Sequence, residues 1–251
     1  MTNFIKQLFH DKKAATMLLI SSLIIGVCAL APALFVIIVL NKYLTSGITG
    51  TLISLTVGAI LLLAFEFTFR QNRSTMIKEF NVKIFGPLLK SFTEKFRTAG
   101  QLTAQEYKNL DGAGSLVKNA IKSSMTGWIL DFPFVLMFLV ALIYINWTAA
   151  LITAIFMIIM YVLTTQRVNL SLQQDSTANL EIFLTGLLTI TIIAVGSVQI
   201  MDGTLDIGLL IGSNILAART LQGTNKFAKA KEFLQQRDRA VSEIVKYIKS
   251  K

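Results

Sequence analysis

The chain has one cysteine, one histidine and three prolines in 251 residues, and only 15% of its residues are charged. A single cysteine excludes a disulfide framework and any multi-cysteine metal site. Cys28 itself lies in an apolar run and is expected to be inert packing. His10 stands in a basic arm with no second ligand near it, so no metal site is expected. Soluble domains usually carry about 25% charged residues. The deficit here, together with a mean hydropathy of +0.62, excludes a soluble enzyme. No nucleophile has a base within a recognisable motif, and no stretch matches Gly-x-x-x-x-Gly-Lys-Ser/Thr, the loop that cradles nucleotide phosphates. The expectation is a chain that is not an enzyme and takes no cofactor.

What the sequence does contain is apolar residues, 53% of the total, gathered into long blocks. A helical span needs about 20 residues, and six blocks qualify: Ala14 to Leu40, Thr51 to Phe69, Ile129 to Ile145, Thr148 to Gln166, Leu180 to Met201, and Ile207 to Leu221. Backbone amides in hydrocarbon must be satisfied internally, and these runs lack the alternation of strands, so helices are predicted. The predicted fold class is an all-α membrane protein of six transmembrane helices with cytoplasmic helical extensions. Of the 24 basic residues, all but Lys42 fall on one side of this arrangement. Basic residues resist translocation, which places both termini in the cytoplasm of a multi-pass protein. The same distribution accounts for the net charge of +10 without nucleic acid, and anionic headgroups of the lipid bilayer are the expected electrostatic partner. Ala29-Leu30-Ala31 resembles a signal-peptide cleavage site, but the apolar run before it exceeds the usual ~7–15 residues, so an uncleaved first span is expected.

Two segments protrude. In the arm 70–128, Phe80, Ile84, Leu88, Phe92 and Phe96 recur every four residues, the spacing of one helical face. The second span is expected to continue into this arm, with a kink at Pro87 and turns at Gly100, Gly112 and Gly114. The chain thus divides into a membrane domain, residues 1–221, and an amphipathic tail helix, residues 222–251. In the tail, Phe227, Leu234, Val241 and Ile248 hold one heptad position, and Ala230 and Ile244 fill most of the other, interrupted by Arg237. Such a seam needs burial. It can pair with a second copy or a paralogous membrane partner, pack on the chain's own Phe80 to Phe96 face, or lie on the membrane.

Candidate polar sites are few. Glu66 and Arg70 form a favourable helical pair near one end of the second span. Asp131 suits the first turn of a helix, and Glu181 is interfacial. Thr189, Thr191, Ser197 and Asn214 suit hydrogen bonds between helices, with a substrate path as the alternative. Gly208 and Gly212 permit close helix packing at the start of the sixth span.

Three patches resemble the membrane domain of ATP-binding-cassette exporters, in the type I secretion branch that exports proteins from Gram-negative bacteria. Leu30-Ala31-Pro32-Ala33-Leu34-Phe35 is similar to that family's first span. Asp131-Phe132-Pro133-Phe134 is similar to its entry to the third span, and Met201-Asp202-Gly203-Thr204-Leu205 through Ala217-Ala218-Arg219 to its last hairpin. The resemblance implies a bacterial inner membrane location and, as neighbours, a periplasmic adaptor and an outer-membrane channel. Two departures stand out. The nucleotide-binding domain is expected to be missing, and the short connection Arg167 to Asn179 replaces the family's second cytoplasmic coupling arm. The first arm is kept, with Gly100-Gln101-Leu102 standing at its entry as a partner-docking segment together with the tail seam. The expectation is an ATPase-free, exporter-like subunit with a structural or docking role, any energy coming from a separate subunit. The alternative is a half-transporter for protein or peptide export that recruits a separately encoded ATPase through the segment around Gly100 to Lys122.

Overall fold

A computed structural model describes residues 12–43, 49–97, 103–169 and 174–250. Helices α1 (Lys12–Cys28) and α2 (Ala31–Ile38) are followed by a π-helical turn, Val39–Tyr43. Then come α3 (Thr49–Arg97), α4 (Ala104–Lys122), α5 (Trp128–Ile145), α6 (Trp147–Asn169), α7 (Gln174–Met201) and α8 (Ile207–Ser250). No strand occurs among the described residues. Five stretches are long and apolar enough to cross a membrane: Ala14–Tyr43, Gly50–Arg97, Met125–Ile145, Trp147–Gln166 and Ala178–Met201. The chain is an all-α protein with the helix pattern of a multi-pass membrane protein. Their large side chains face outward in number, Ile53, Ile60, Phe65, Phe67, Ile158 and Ile190 among them, as lipid contact requires.

The sixth predicted span, Ile207 to Leu221, is helical as the first part of α8 but is not among those five. Ser213, Asn214 and Arg219 dilute its apolar character, and its neighbours are protein on much of its surface. Leu210, Leu216, Ala217 and Leu221 are all buried in one core with Ala33, Phe138, Leu142, Met160, Leu188 and Ile192.

The helix ends follow from local chemistry. Thr103 and Glu106 form a reciprocal capping box at the start of α4, each side chain accepting from the other's backbone N–H. Asn146 caps α6, its Oδ1 accepting from the amides of Thr148 and Ala149, each at 3.1 Å. At the end of α7, the amide of Thr204 donates to the carbonyl of Gln199 and that of Gly203 to Ile200, the two bonds of a Schellman turn. Gly203 takes the left-handed conformation this needs, at φ +68°.

One local expectation is corrected. Gly112 and Gly114 do not mark turns; both lie inside α4. A Cβ on Gly114 would come within 2.7 Å of Phe92 Cε1, so this glycine serves close packing. Within the first span, Ala14–Tyr43, the α-helical run lapses at Ala29 and Leu30 before Pro32 opens α2. Pro87 lies inside helix α3.

By backbone contacts the chain forms two units. Of the described residues, one comprises 12–18, 72–97, 103–129 and 230–250, the other 19–43, 49–71, 130–169 and 174–229. The first, polar unit has its own core, in which Phe85 and Phe92 of α3, Ala113 and Val117 of α4, and Ala240, Ile244 and Tyr247 of α8 pack together. Phe92 stacks on Phe96 and meets Tyr247 edge-on, and Phe96 stacks on Tyr107. The buried Asn81 donates from Nδ2 to the carbonyls of Ala120 and Ser123, at 3.3 and 3.1 Å, closing the end of α4. The buried Arg237 lies over the Phe85 ring, 4.8 Å from its centroid, with Nη2 2.7 Å from Asp238 Oδ1. The apolar unit is built on the core described above.

Candidate functional site

Within the apolar unit, α1, α3, α5 and α8 surround a cavity of about 340 Å³. Close helix approach creates it. A Cβ on Gly26 would stand 3.0 Å from the Phe134 side chain, and one on Gly223 would stand 2.4 Å from Val135 Cγ2. With no side chain at either position, α5 lies tight against α1 and α8, and this brings Asp131 and Phe134 to the cavity wall.

One end of the cavity is charged. Arg70 donates from Nε and Nη2 to Glu66 Oε1, at 2.9 and 2.7 Å, as residues four apart on α3 can. Arg219 Nη1 lies 3.6 Å from Glu66 Oε2, an ion pair beyond hydrogen-bond length. Glu66 is only 8% exposed, and its Oε2 accepts no hydrogen bond. Lys226 lines the same space and has no hydrogen-bond or ion-pair partner among the described residues. Burial is the main cause that holds its pKa below the ordinary lysine value, and the charge of Arg70 adds to this. Asp131 and Glu181 oppose the shift, and Arg219 reinforces it. The rest of the wall is apolar, with Ile25, Ala29, Val135 and Phe138. Chemically the arrangement offers clustered hydrogen-bond donors of positive charge beside an apolar recess.

A second polar cluster ties α6, α7 and α8. Asn225, fully buried, donates from Nδ2 to Glu181 Oε2. Thr164 donates to Asn225 Oδ1 at 3.1 Å, and Lys229 Nζ lies 3.4 Å from the same Glu181 oxygen. Every one of these groups is occupied by another, so the cluster is a fastening between helices.

The residues singled out in the sequence fall in several places. Asp131 and Phe134 line the cavity. Phe132 stacks on Phe227, with centroids 4.1 Å apart, and Tyr161 lies beyond it. Pro133 lies inside α5. Gly208 and Gly212 face α2 and the π-helical turn, where a Cβ would meet Asn41 Oδ1 at 2.2 Å and Ile37 Cγ1 at 2.4 Å. Asn214 Oδ1 is buried with no hydrogen-bond partner. Thr191 and Ser197 do not bond between helices; each donates to a carbonyl of its own helix, at Leu187 and Ile193. Leu234 is fully buried, and Val241 and Ile248 pack on the core of the polar unit, so the chain itself covers this seam. Gly100, Gln101 and Leu102 lie outside the described residues, as does His10. No cluster of three or more metal-ligating side chains occurs among the described residues.

Sequence reasoning identified Glu66 and Arg70 as a helical pair and Asp131 separately, as a carboxylate at a helix start. It missed Lys226 as their companion and Asn225 as a fastening. The available signal was the spacing of Arg219, Gly223 and Lys226, which at intervals of four and three share one helical face. No protein-family model and no curated protein matches the chain.

Proposed function

We propose that the chain is an ATPase-free, exporter-like membrane subunit whose task is to present a structured body to other components of an envelope-spanning assembly. In this reading six spans place both termini in the cytoplasm of a bacterial inner-membrane protein, and the polar unit is the cytosolic body. The observation that carries it is the continuity of α3 and α8, 49 and 44 residues long, from membrane-type sequence into a polar unit with a core of its own. A tail that merely lay on the bilayer would have no such core. The neighbours that fit are a periplasmic adaptor and outer-membrane channel, a second copy or paralogous membrane subunit, and a separate energy-supplying protein.

A half-transporter that recruits its own ATPase is the second reading. It is favoured by α4, whose capped start and exposed Tyr107 and Leu116 give the first arm an outward apolar surface. Purification from native membranes after cross-linking, with identification of the co-eluting chains, separates the two. An adaptor or an ion-driven motor supports the first reading. A stoichiometric ATPase supports the second. Recovery of the chain alone, at native abundance and after cross-linking, refutes both.

A further inference from the structure

The charged cavity among α1, α3, α5 and α8 has donors left over. Glu66 is engaged by Arg70 through a single oxygen, and its other oxygen reaches Arg219 only at 3.6 Å. Arg219 carries five N–H donors and Lys226 three, and none of them makes a hydrogen bond within the described residues. Arg70, Arg219 and Lys226 against Glu66 and Asp131 leave one formal positive charge on the wall. Both cations are half-buried; drawing them partly out of water without an acceptor is costly, and oxygens of an anion would supply charge-assisted bonds to both. Burial lowers the proton affinity of Lys226 more than Asp131 and Glu181 raise it, and an anion held against it would favour its charged form.

The other half of the cavity narrows the ligand further. Ile25, Ala29 and Phe138 form an apolar wall continuous with the charged end. Both Ile25 and Phe138 lie within stretches of membrane-spanning character. A small inorganic ion would leave this wall in contact with water. A volume of about 340 Å³ lies within the ~300–1,000 Å³ usual for small-molecule pockets.

We propose that this cavity binds a phosphate oxyanion at Arg219 and Lys226, with an attached apolar chain lying along Phe138. A phosphodiester monoanion matches the single excess positive charge. An anionic phospholipid headgroup and a soluble phosphate share the recognising chemistry and differ in whether the apolar wall contributes. The proposal stands independently of the assembly suggested above.

Titration calorimetry on the full chain in an uncharged maltoside detergent tests it, with three probes: dihexanoylphosphatidylglycerol, dihexanoylphosphatidylcholine and inorganic phosphate. Phosphatidylglycerol is expected to bind at least tenfold more tightly than phosphatidylcholine, whose own cation competes for the phosphate. Weaker binding of inorganic phosphate than of phosphatidylglycerol supports the proposal; equal binding overturns it, because a chain along Phe138 would then contribute nothing. R219Q and K226Q should each weaken phosphatidylglycerol at least tenfold, R219K less, and K118Q, on the exposed face of α4, not at all. Absence of binding by any probe, or equal affinity for the two lipids, overturns the proposal using the unaltered protein alone. Full affinity retained in both R219Q and K226Q overturns it as well.

Discussion

Ile244→Ala distinguishes a tail that closes on its own chain from one that clasps a partner. Ile244 is fully buried and packs with Phe85, Phe92, Val117 and Tyr247 in the polar unit. Truncating such a side chain removes its transfer free energy and leaves a cavity, together about 2–5 kcal/mol. Every 1.4 kcal/mol is about tenfold in an equilibrium, so even the lower limit corresponds to roughly a thirtyfold rise in local opening. Hydrogen–deuterium exchange in detergent reads this directly. Amides of α4 and of α8 beyond Ala230 should exchange at least ~30-fold faster, while those in the membrane parts of α6 and α7, which belong to the other unit, keep their rates. The effect should not change when the protein is diluted. Unchanged exchange in α8, or an acceleration that grows on dilution, would refute the reasoning, the second because it assigns the burial to an intermolecular seam.

Asn81→Ala removes the side-chain donor to the Ser123 carbonyl and one of two donors to that of Ala120, which keeps the Ser123 amide; it should cost about 1–3 kcal/mol, seen as faster exchange at the end of α4. Gly212→Val and Gly223→Val drive a side chain into Ile37 and Val135, whose β-branched shapes yield poorly. Each should lower the thermal midpoint by overpacking worth about 1–3 kcal/mol, whereas Gly50→Ala, with nothing within 4 Å, should not. Lys226 has a folded-state pKa below the ordinary 10.5, so between those two values the unfolded chain binds more protons and stability rises with pH. The thermal midpoint of K226Q should therefore exceed that of the parent at neutral pH, and the gap should close as pH approaches 10.5. With Cys28 replaced by Ala, a cysteine at Gly203 should react with an impermeant reagent added to whole cells and one at Ser115 should not; labelling at Ser115 would sink the six-span orientation.

Much of the helix plan was legible because lipid imposes a simple requirement, a long uncharged run, that survives ignorance of every tertiary contact. The Phe80 to Phe96 face was legible for a related reason, since five apolar residues recurring every four positions in a polar segment need something to cover them. Glycine misled because two of its uses look alike in sequence. Gly203 is at a turn through its positive φ, whereas Gly114 is in a helix because Phe92 occupies the place of a side chain. The capping box was readable as Thr103-x-x-Glu106 and escaped notice. The charged cavity was not readable, because Ser22, Glu66, Asp131 and Lys226 come from four helices and each alone resembles a charge or hydroxyl at the edge of a span. The sixth predicted span differs from the others in composition, since Ser213, Asn214 and Arg219 interrupt it, whereas the protein core that covers much of it is not legible in sequence.

The lapse at Ala29 and Leu30 divides the first span into two mechanical parts. Pro32 has no N–H to offer the carbonyl of Cys28, four residues back, so the hydrogen-bond ladder that stiffens a membrane helix is thinnest at this point. Ahead of it, α1 supplies Ser22, Ile25 and Gly26 to the cavity wall. Behind it, Ile37 and Asn41 are held against Gly208 and Gly212 with no space for even a methyl group. The donor missing at Pro32 thus falls between the part of the span that lines the cavity and the part packed on α8.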